Sequence, residues 1–423
     1  MIIFRKILIL IICLGNFVFA QYNLNYFLNK GLNNSPVIKD FGNQFLINKL
    51  QNKLDEAQNS AFQVYLSSNI LFAPYFNNNG TVFTPNPGPK AIGYDAAVTN
   101  GGLYSAQINL DKNIYNGGLL DALKEERTVQ GKSYENKTSI EKHTLKKQIT
   151  DQYLNTLQYL MLYKVSKEVE KNLNAQLNII ENLVKKGFAK AQDYLLLKIE
   201  LNTRKIDLEQ TWQNYKSGLA ELYSICGIRD TQTVKIDSVY LNIVKTQGTS
   251  YFLTQYYLDS LSAASQQKVF ETKYQPQVDL FFNAGLNAVE LNDIQRKFGI
   301  SAGINFSLPI LDGNQKDITR QQTSIAERTL FDYKNYLAEN IIIKRRDSES
   351  RIKSLKNNLN DLNKQINDYK ELLNISENQL QQGNLSMIEY LTLLKNYIDL
   401  QKNKVSTEIN YQMEISNYNY WNW

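Results

Sequence analysis

The chain carries an internal offset. Sliding the sequence on itself by 196 residues without a gap places Ser105, Ala106, Ile108, Asn109, Ile114 and Gly117 on Ser301, Ala302, Ile304, Asn305, Ile310 and Gly313. The same shift carries Gly187, Tyr194, Leu195 and Leu197 onto Gly383, Tyr390, Leu391 and Leu393. Two landmark glycines, roughly seventy residues apart, therefore recur at one offset, the signature of a duplicated structural unit. Each copy must fit one plan: an alternating strand, a tight Gly turn, then a very long helical run.

The alternating stretches have two unlike faces. Tyr104, Ala106, Ile108 and Leu110 alternate with Ser105, Gln107, Asn109 and Asp111, and Ile300, Ala302, Ile304, Phe306 and Leu308 with Ser301, Gly303, Asn305 and Ser307. Two further strands are expected at about 62–72, and at 276–288 through Val278, Leu280, Phe282, Ala284 and Leu286; the two already described fall at about 99–112 and 299–310. A soluble sandwich and a membrane barrel both satisfy such alternation. The barrel is favoured here, because strands of this length match the ~9–11 residues that cross a bilayer at a tilt. The opposite face is also made of the small polar residues that line a water-filled lumen. Four strands cannot close a barrel, and an open edge in lipid leaves backbone groups unpaired. Copies of the chain must supply the rest, most simply three copies.

Residues 119–186 contain no Pro and a single Gly, and 314–382 repeat that length. Ile149, Leu154, Leu157, Leu160, Leu173, Leu177, Ile180 and Leu183 keep three- and four-residue spacings in the first run, as do Ile352, Leu355, Leu359, Leu362, Ile366, Tyr369 and Leu373 in the second. Helices this long pack side by side as coiled coils. Each ends at a Gly suited to a helix C-cap, Gly187 and Gly383, and a returning helix follows within a few residues. The pattern is a helical hairpin with an exposed tip. Near the start, Ser35 and Pro36 fit the cap and first turn of another helix. The domain plan is a signal segment at 1–20, a first repeat at 21–226, a connector at 227–250 with an alternating piece at Val234, Ile236 and Val239, and a second repeat at 251–423.

The signal segment is read from Arg5 and Lys6, an apolar run over 7–14, and Val18-Phe19-Ala20 before the expected cleavage. The formal charge of +6 is spread among alternating acids and bases, as in Lys124-Glu125-Glu126-Arg127, which is not a nucleic-acid footprint. No zincin, nucleophile-elbow, CxxC, Walker or Rossmann pattern occurs, so no enzyme, cofactor or metal site is expected. His143, between Lys142 and Thr144, reads as a surface residue, and Cys226 as a small core residue. The tips remain as functional candidates. Asp193 and Glu389 stand six residues after their glycines, each followed by Tyr-Leu. In a symmetric assembly they form acidic rings that favour cations and gate a pore, or they simply complement a helix dipole. Lys185, Lys186 and Lys190 crowd the first tip, whereas Gln381, Gln382 and Ser386 line the second.

Together the signal segment, the duplicated strand-and-helix unit and the Gly-tipped hairpins resemble the TolC-like outer-membrane efflux protein family. The motifs that carry the resemblance are residues 24–36 with their Asn-Ser-Pro close, the turns Ile114-Tyr115-Asn116-Gly117-Gly118 and Leu308-Pro309-Ile310-Leu311-Asp312-Gly313, and the tips 187–195 and 383–391. The resemblance implies an α+β homotrimer in the outer membrane of a Gram-negative bacterium: a shared transmembrane β-barrel of four strands per chain, continued into the periplasm by an α-helical coiled-coil barrel. It implies docking of a periplasmic adaptor at tips marked by Gly187, Phe188, Gly383, Asn384 and Leu385, with an inner-membrane pump or ABC exporter behind it. The first acid of the family's gate falls on Glu389, the second on Thr392, and its basic tip residue on Leu385. The alternative is a periplasmic coiled-coil scaffold or adaptor without a barrel.

Overall fold

The computed structural model describes residues 22–71, 89–90, 92–93, 104–229, 232–245, 250–288 and 291–423. The signal segment and the first five residues of the strand expected from 99 lie outside them. In chain order the elements are α1 (Leu24–Asn34), α2 (Pro36–Ser60), β1 (Gln63–Ile70), β2 (Tyr104–Tyr115), α3 (Leu119–Lys185), α4 (Ala191–Ile225), α5 (Tyr251–Glu271), β3 (Gln277–Ala288), β4 (Phe298–Ser307), α6 (Gln315–Gln381) and α7 (Met387–Trp421). α3 and α6 are each 67 residues and α4 and α7 each 35. At ~1.5 Å per residue the longer pair reaches ~100 Å. The chain forms two compact units, each assembled from segments distant in sequence. One takes the residues up to Asp40, Lys137–Leu253 and Asn335–Trp423; the other takes Phe41–Asn136 and Thr254–Lys334.

The second unit holds an antiparallel sheet in the order β1-β2-β3-β4. Its centre joins β2 to β3, strands separated by the whole first hairpin, with Ile108 opposite Ala284 and Leu110 opposite Phe282. The outer pairs follow, Leu66 opposite Ile108 and Leu280 opposite Ile304. The sheet is inverted relative to a soluble protein. On the apolar face Leu66 is 76% exposed, Ile300 70% and Ile304 67%, while Ser105 and Asn109 on the polar face are buried. Asn109 donates to Ser67 Oγ at 2.7 Å, Tyr65 to Asp111 at 2.9 Å and Asn113 to Asp279 at 2.7 Å, so these polar groups find their partners across strands on that face. The ends differ from expectation in one informative place: β4 stops at Ser307 rather than 310, because Pro309 has no amide hydrogen to give the ladder. β2 instead runs on through Tyr115.

Sequence periodicity assigned no element to α5. Its inward side includes Ser265 beside Leu258, while Tyr257 stands 56% exposed, so no apolar stripe marks it. Within this unit α6 is tied to α5 by Arg320, which donates to both Glu271 oxygens at 2.7 and 3.0 Å.

In the first unit, Phe27, Ile149, Tyr153, Leu154, Tyr215, Leu219, Leu222 and Cys226 form one core. The Asn-Ser-Pro close of α1 has a physical use: Asn34 Nδ2 donates to the carbonyls of Cys226 and Gly227, capping the end of α4, while Ser35 Oγ accepts from Ile38 N at the start of α2. Cys226 is fully buried, as expected. Among its described residues the connector forms no strand. Tyr153, Tyr215 and Tyr223 donate to its carbonyls at Asp237, Val234 and Gln232, and Ile236 inserts into the core, so it lies on the helical body. His143 overturns its sequence reading. It is half-buried, stacked on Tyr420 and Trp423 with ring centroids 5.0 and 4.0 Å away, and Phe252 meets it edge-on. Burial lowers its pKa.

Candidate functional site

Both tips close by the same backbone device. Gly187 and Gly383 take φ of +79° and +77°, a left-handed conformation that costs any side chain energy. Around each, two hydrogen bonds finish the long helix: Phe188 N to Leu183 O with Gly187 N to Val184 O, and Asn384 N to Gln379 O with Gly383 N to Leu380 O. This is the Schellman arrangement, which satisfies helix carbonyls that would otherwise lack donors.

The side chains then part company. At the second tip Ser386 caps α7: its hydroxyl accepts from Glu389 N at 3.2 Å, and the Glu389 carboxylate accepts from Ser386 N at 3.1 Å. That capping box holds Glu389 below the usual carboxylate range, chiefly through the Ser386 hydroxyl. The equivalent of Ser386 at the first tip is Lys190, which cannot cap α4. Among the described residues the Asp193 carboxylate has neither a hydrogen-bond donor nor an ion-pair partner. Phe188 stands 78% exposed, whereas Leu385 packs on the apolar cluster of the hairpins.

That cluster joins the two hairpins just behind the tips. Ile180, Leu197 and Leu201 of the first meet Met387, Tyr390 and Ile398 of the second. Gln176 donates to the Tyr390 hydroxyl, whose pKa burial raises. Beside Tyr390 lies a cleft of about 400 Å³ among Asn172 and Gln176 of α3, Asn374 and Glu377 of α6, and Tyr397 of α7. Farther along, Asp207 of α4 receives Lys402 of α7 at 2.8 Å and Ser166 of α3 at 2.8 Å. Burial there opposes ionisation, but these donors outweigh it and hold the Asp207 carboxyl below its ordinary value.

The whole-chain architecture is shared with solved structures. The chain is similar to the outer membrane protein VceC from the bacterial pathogen Vibrio cholerae, with 13% identity and a TM-score of 0.72 over 94% of this chain and 96% of that one. It is similar to the Campylobacter jejuni CmeC outer membrane channel, with 13% identity and a TM-score of 0.72 over 94% of this chain and 85% of that one. This is the fold of the TolC-like outer-membrane efflux channels. The open state of the Neisseria gonorrhoeae MtrE outer membrane channel shares it at 10% identity, with a TM-score of 0.68 over 94% of this chain and 88% of that one. No family sequence model matches the chain, and no curated protein matches it.

On the TolC-like fold, the residues singled out from sequence fall where the hairpins turn. Gly187, Phe188, Gly383 and Asn384 are exposed there, Leu385 is half-buried, and Asp193 and Glu389 lie in the first turns of the returning helices. No hydrogen bond or ion pair among the described residues joins the two acids. Sequence reasoning missed the Ser386 cap, although Ser-x-x-Glu before an apolar run is its recognised pattern. It also missed Gln176 and Lys402, whose partners lie 214 and 195 residues away and leave no local signal.

Proposed function

We propose that this protein is the outer-membrane exit duct of a tripartite efflux or type I secretion assembly: a homotrimer, built from a tandem repeat, that conducts cargo passively and opens at its periplasmic helical tips. The inverted sheet carries this reading. An apolar face exposed at Leu66, Ile300 and Ile304, backed by a polar face hydrogen-bonded from strand to strand at Asn109, Tyr65 and Asn113, suits a strand set with lipid outside and water inside. Among the described residues the edges at β1 and β4 have no partner strand, and three copies of a four-stranded sheet would close them into one barrel. The similar structures are outer-membrane proteins and channels by their own descriptions, which favours the same location here. A periplasmic adaptor would engage the tips at Gly187, Phe188, Gly383, Asn384 and Leu385, coupling the duct to an inner-membrane pump or ABC exporter.

Of the two acids, Asp193 is the better gate group, since Glu389 is committed to its helix cap. The test is conductance of the purified protein in planar bilayers. Wild type should give discrete, cation-preferring events; Asp193→Ala should weaken the cation preference more than Glu389→Ala. A protein that extracts without detergent and forms no channel would refute the duct and leave the coiled-coil scaffold.

A further inference from the structure

Among the described residues the most exposed large apolar side chains lie neither on the sheet nor at the tips but in the turn that leads from β4 to α6. Leu311 is 93% exposed and Ile310 90%, more than any lipid-facing candidate on the strands; Ile114, at the 196-residue offset from Ile310, is 57% exposed. Parity explains their placement. Phe306 is on the outward apolar face of β4, and Leu308 and Ile310 continue its every-second-residue row past the strand end. On β2 the same row runs Ile108, Leu110 and Lys112; the register against β3 then shifts between Asn113 and Tyr115, and Ile114 stands exposed at that irregularity.

Length gives this extension a reason. The outward row of β4 from Phe298 to Phe306 advances eight residues, ~27 Å along the strand and ~19 Å along the normal at a ~45° tilt. That falls short of the ~25 Å apolar band of outer-membrane barrels. Carrying the row on to Ile310 adds four residues and brings the height to at most ~28 Å. Lys112 marks the level independently. It is the one charged residue on the outward row of β2, opposite Leu280, and its Nζ sits 4.3 Å from the ring centroid of Phe62, itself exposed. A cation on a lipid-facing row is tolerable where its stem can carry the charge into the headgroups.

We propose that Ile310 and Leu311 past the end of β4, with Ile114 at the irregular last turn of β2, form a collar inserted at the headgroup–acyl boundary of the leaflet nearest the helices, with Lys112 turned to phospholipid phosphates. This rests on the duct reading and extends the membrane contact past the end of β4. The test uses the full chain carrying Cys13→Ser, with an environment-sensitive fluorophore placed through Ile114→Cys, Ile310→Cys, Ile304→Cys or Ile318→Cys. Cys226 is buried, with its thiol pushed up to about 12, and does not compete for label. Each labelled protein is reconstituted in phosphatidylethanolamine–phosphatidylglycerol vesicles with nitroxides either near the headgroup or at mid-chain, and with a water-soluble quencher.

Labels at 310 and 114 should emit at blue-shifted wavelengths and be quenched most by the headgroup-proximal nitroxide. The label at 304 should respond most to the mid-chain nitroxide, and the one at 318 to the aqueous quencher. A label at 310 as open to the aqueous quencher as that at 318 overturns the collar, with the duct intact. So does one shielded from every quencher, which would place a second copy of the chain over it. If the label at 304 also ignores lipid nitroxides, the duct reading itself fails.

Discussion

Gly285 tests the pairing that holds the two halves of the sheet together. It lies on β3 opposite Gln107 of β2, and a Cβ built there would stand 2.3 Å from Ala106 O and 2.6 Å from Gln107 Cα. Both are backbone atoms, so no rotamer change relieves the overlap. Restoring ordinary contact demands that the strands separate by about 1 Å, enough to break the flanking ladder hydrogen bonds. Two such bonds at ~1 kcal/mol each, plus ~1 kcal/mol for holding a side chain at this backbone conformation, give ~3 kcal/mol. That is about two orders of magnitude in the ratio of folded to unfolded chain. The structure supplies its own control. Gly299 faces Gly285 from β4, and a Cβ there meets nothing within 4 Å. Gly285→Ala should therefore lower the urea midpoint of the micelle-folded protein markedly, while Gly299→Ala stays within ~0.5 kcal/mol of wild type. Equal behaviour of the two variants, or an unchanged midpoint for Gly285→Ala, would refute the close approach and with it the register of β2 on β3.

Cys226 should resist maleimide at pH 8 in the folded protein and react once urea exposes it, since it is buried and its thiol is pushed up to about 12; rapid native labelling would contradict the core. Glu271, beside Arg320, has its pKa lowered from 4.5 to about 2. Its folded value lies below its unfolded one, so the stabilisation is complete above the unfolded value and fades as pH falls toward 2; because Arg320 is half exposed, we expect under ~1 kcal/mol, abolished in Arg320→Gln when acid unfolding curves are compared. At the tips, backbone amides of 188–194 should exchange faster than those of 384–390, and Ser386→Ala, at a cost of ~1 kcal/mol, should bring the second tip closer to the first. Lys190→Ser, which offers α4 the cap it lacks with Asp193 already in place, should slow the first tip in the same exchange measurement.

What could be read from the residues alone was whatever the backbone enforces locally. A Gly that ends a long apolar-periodic run is nearly obliged to take the left-handed turn, and both Gly187 and Gly383 do. Strand alternation gave the faces of all four strands, because parity cannot slip by one residue without turning every Ile and Phe to the other side. The failures were contacts over distance. His143 sits among lysines in sequence, yet its ring partners are Tyr420 and Trp423, more than 270 residues on. Tyr390 gave no hint that Gln176 would meet its hydroxyl across the hairpins. α5 escaped for a different reason: its buried side accepts serine, so amphipathic periodicity, the usual signal, is weak.

The two tips show how far equal backbones can serve unequal ends. At the 196-residue offset Ala191 corresponds to Met387, Lys190 to Ser386 and Phe188 to Asn384. Met387 is 2% exposed within the cluster shared by both hairpins, whereas Ala191 is exposed and adds nothing to it. The second tip is thereby anchored twice, by a buried thioether and by the Ser386–Glu389 cap, while the first keeps an uncapped helix start, a carboxylate without a partner among the described residues and an exposed Phe. Burying a Met is worth ~1.5–3 kcal/mol and a cap ~1 kcal/mol, so the first tip is the cheaper one to move. It also presents the lysines and the aromatic ring. The same absence of anchoring that loosens the first tip leaves Phe188 and Asp193 uncommitted, which is the condition a docking or gating surface requires.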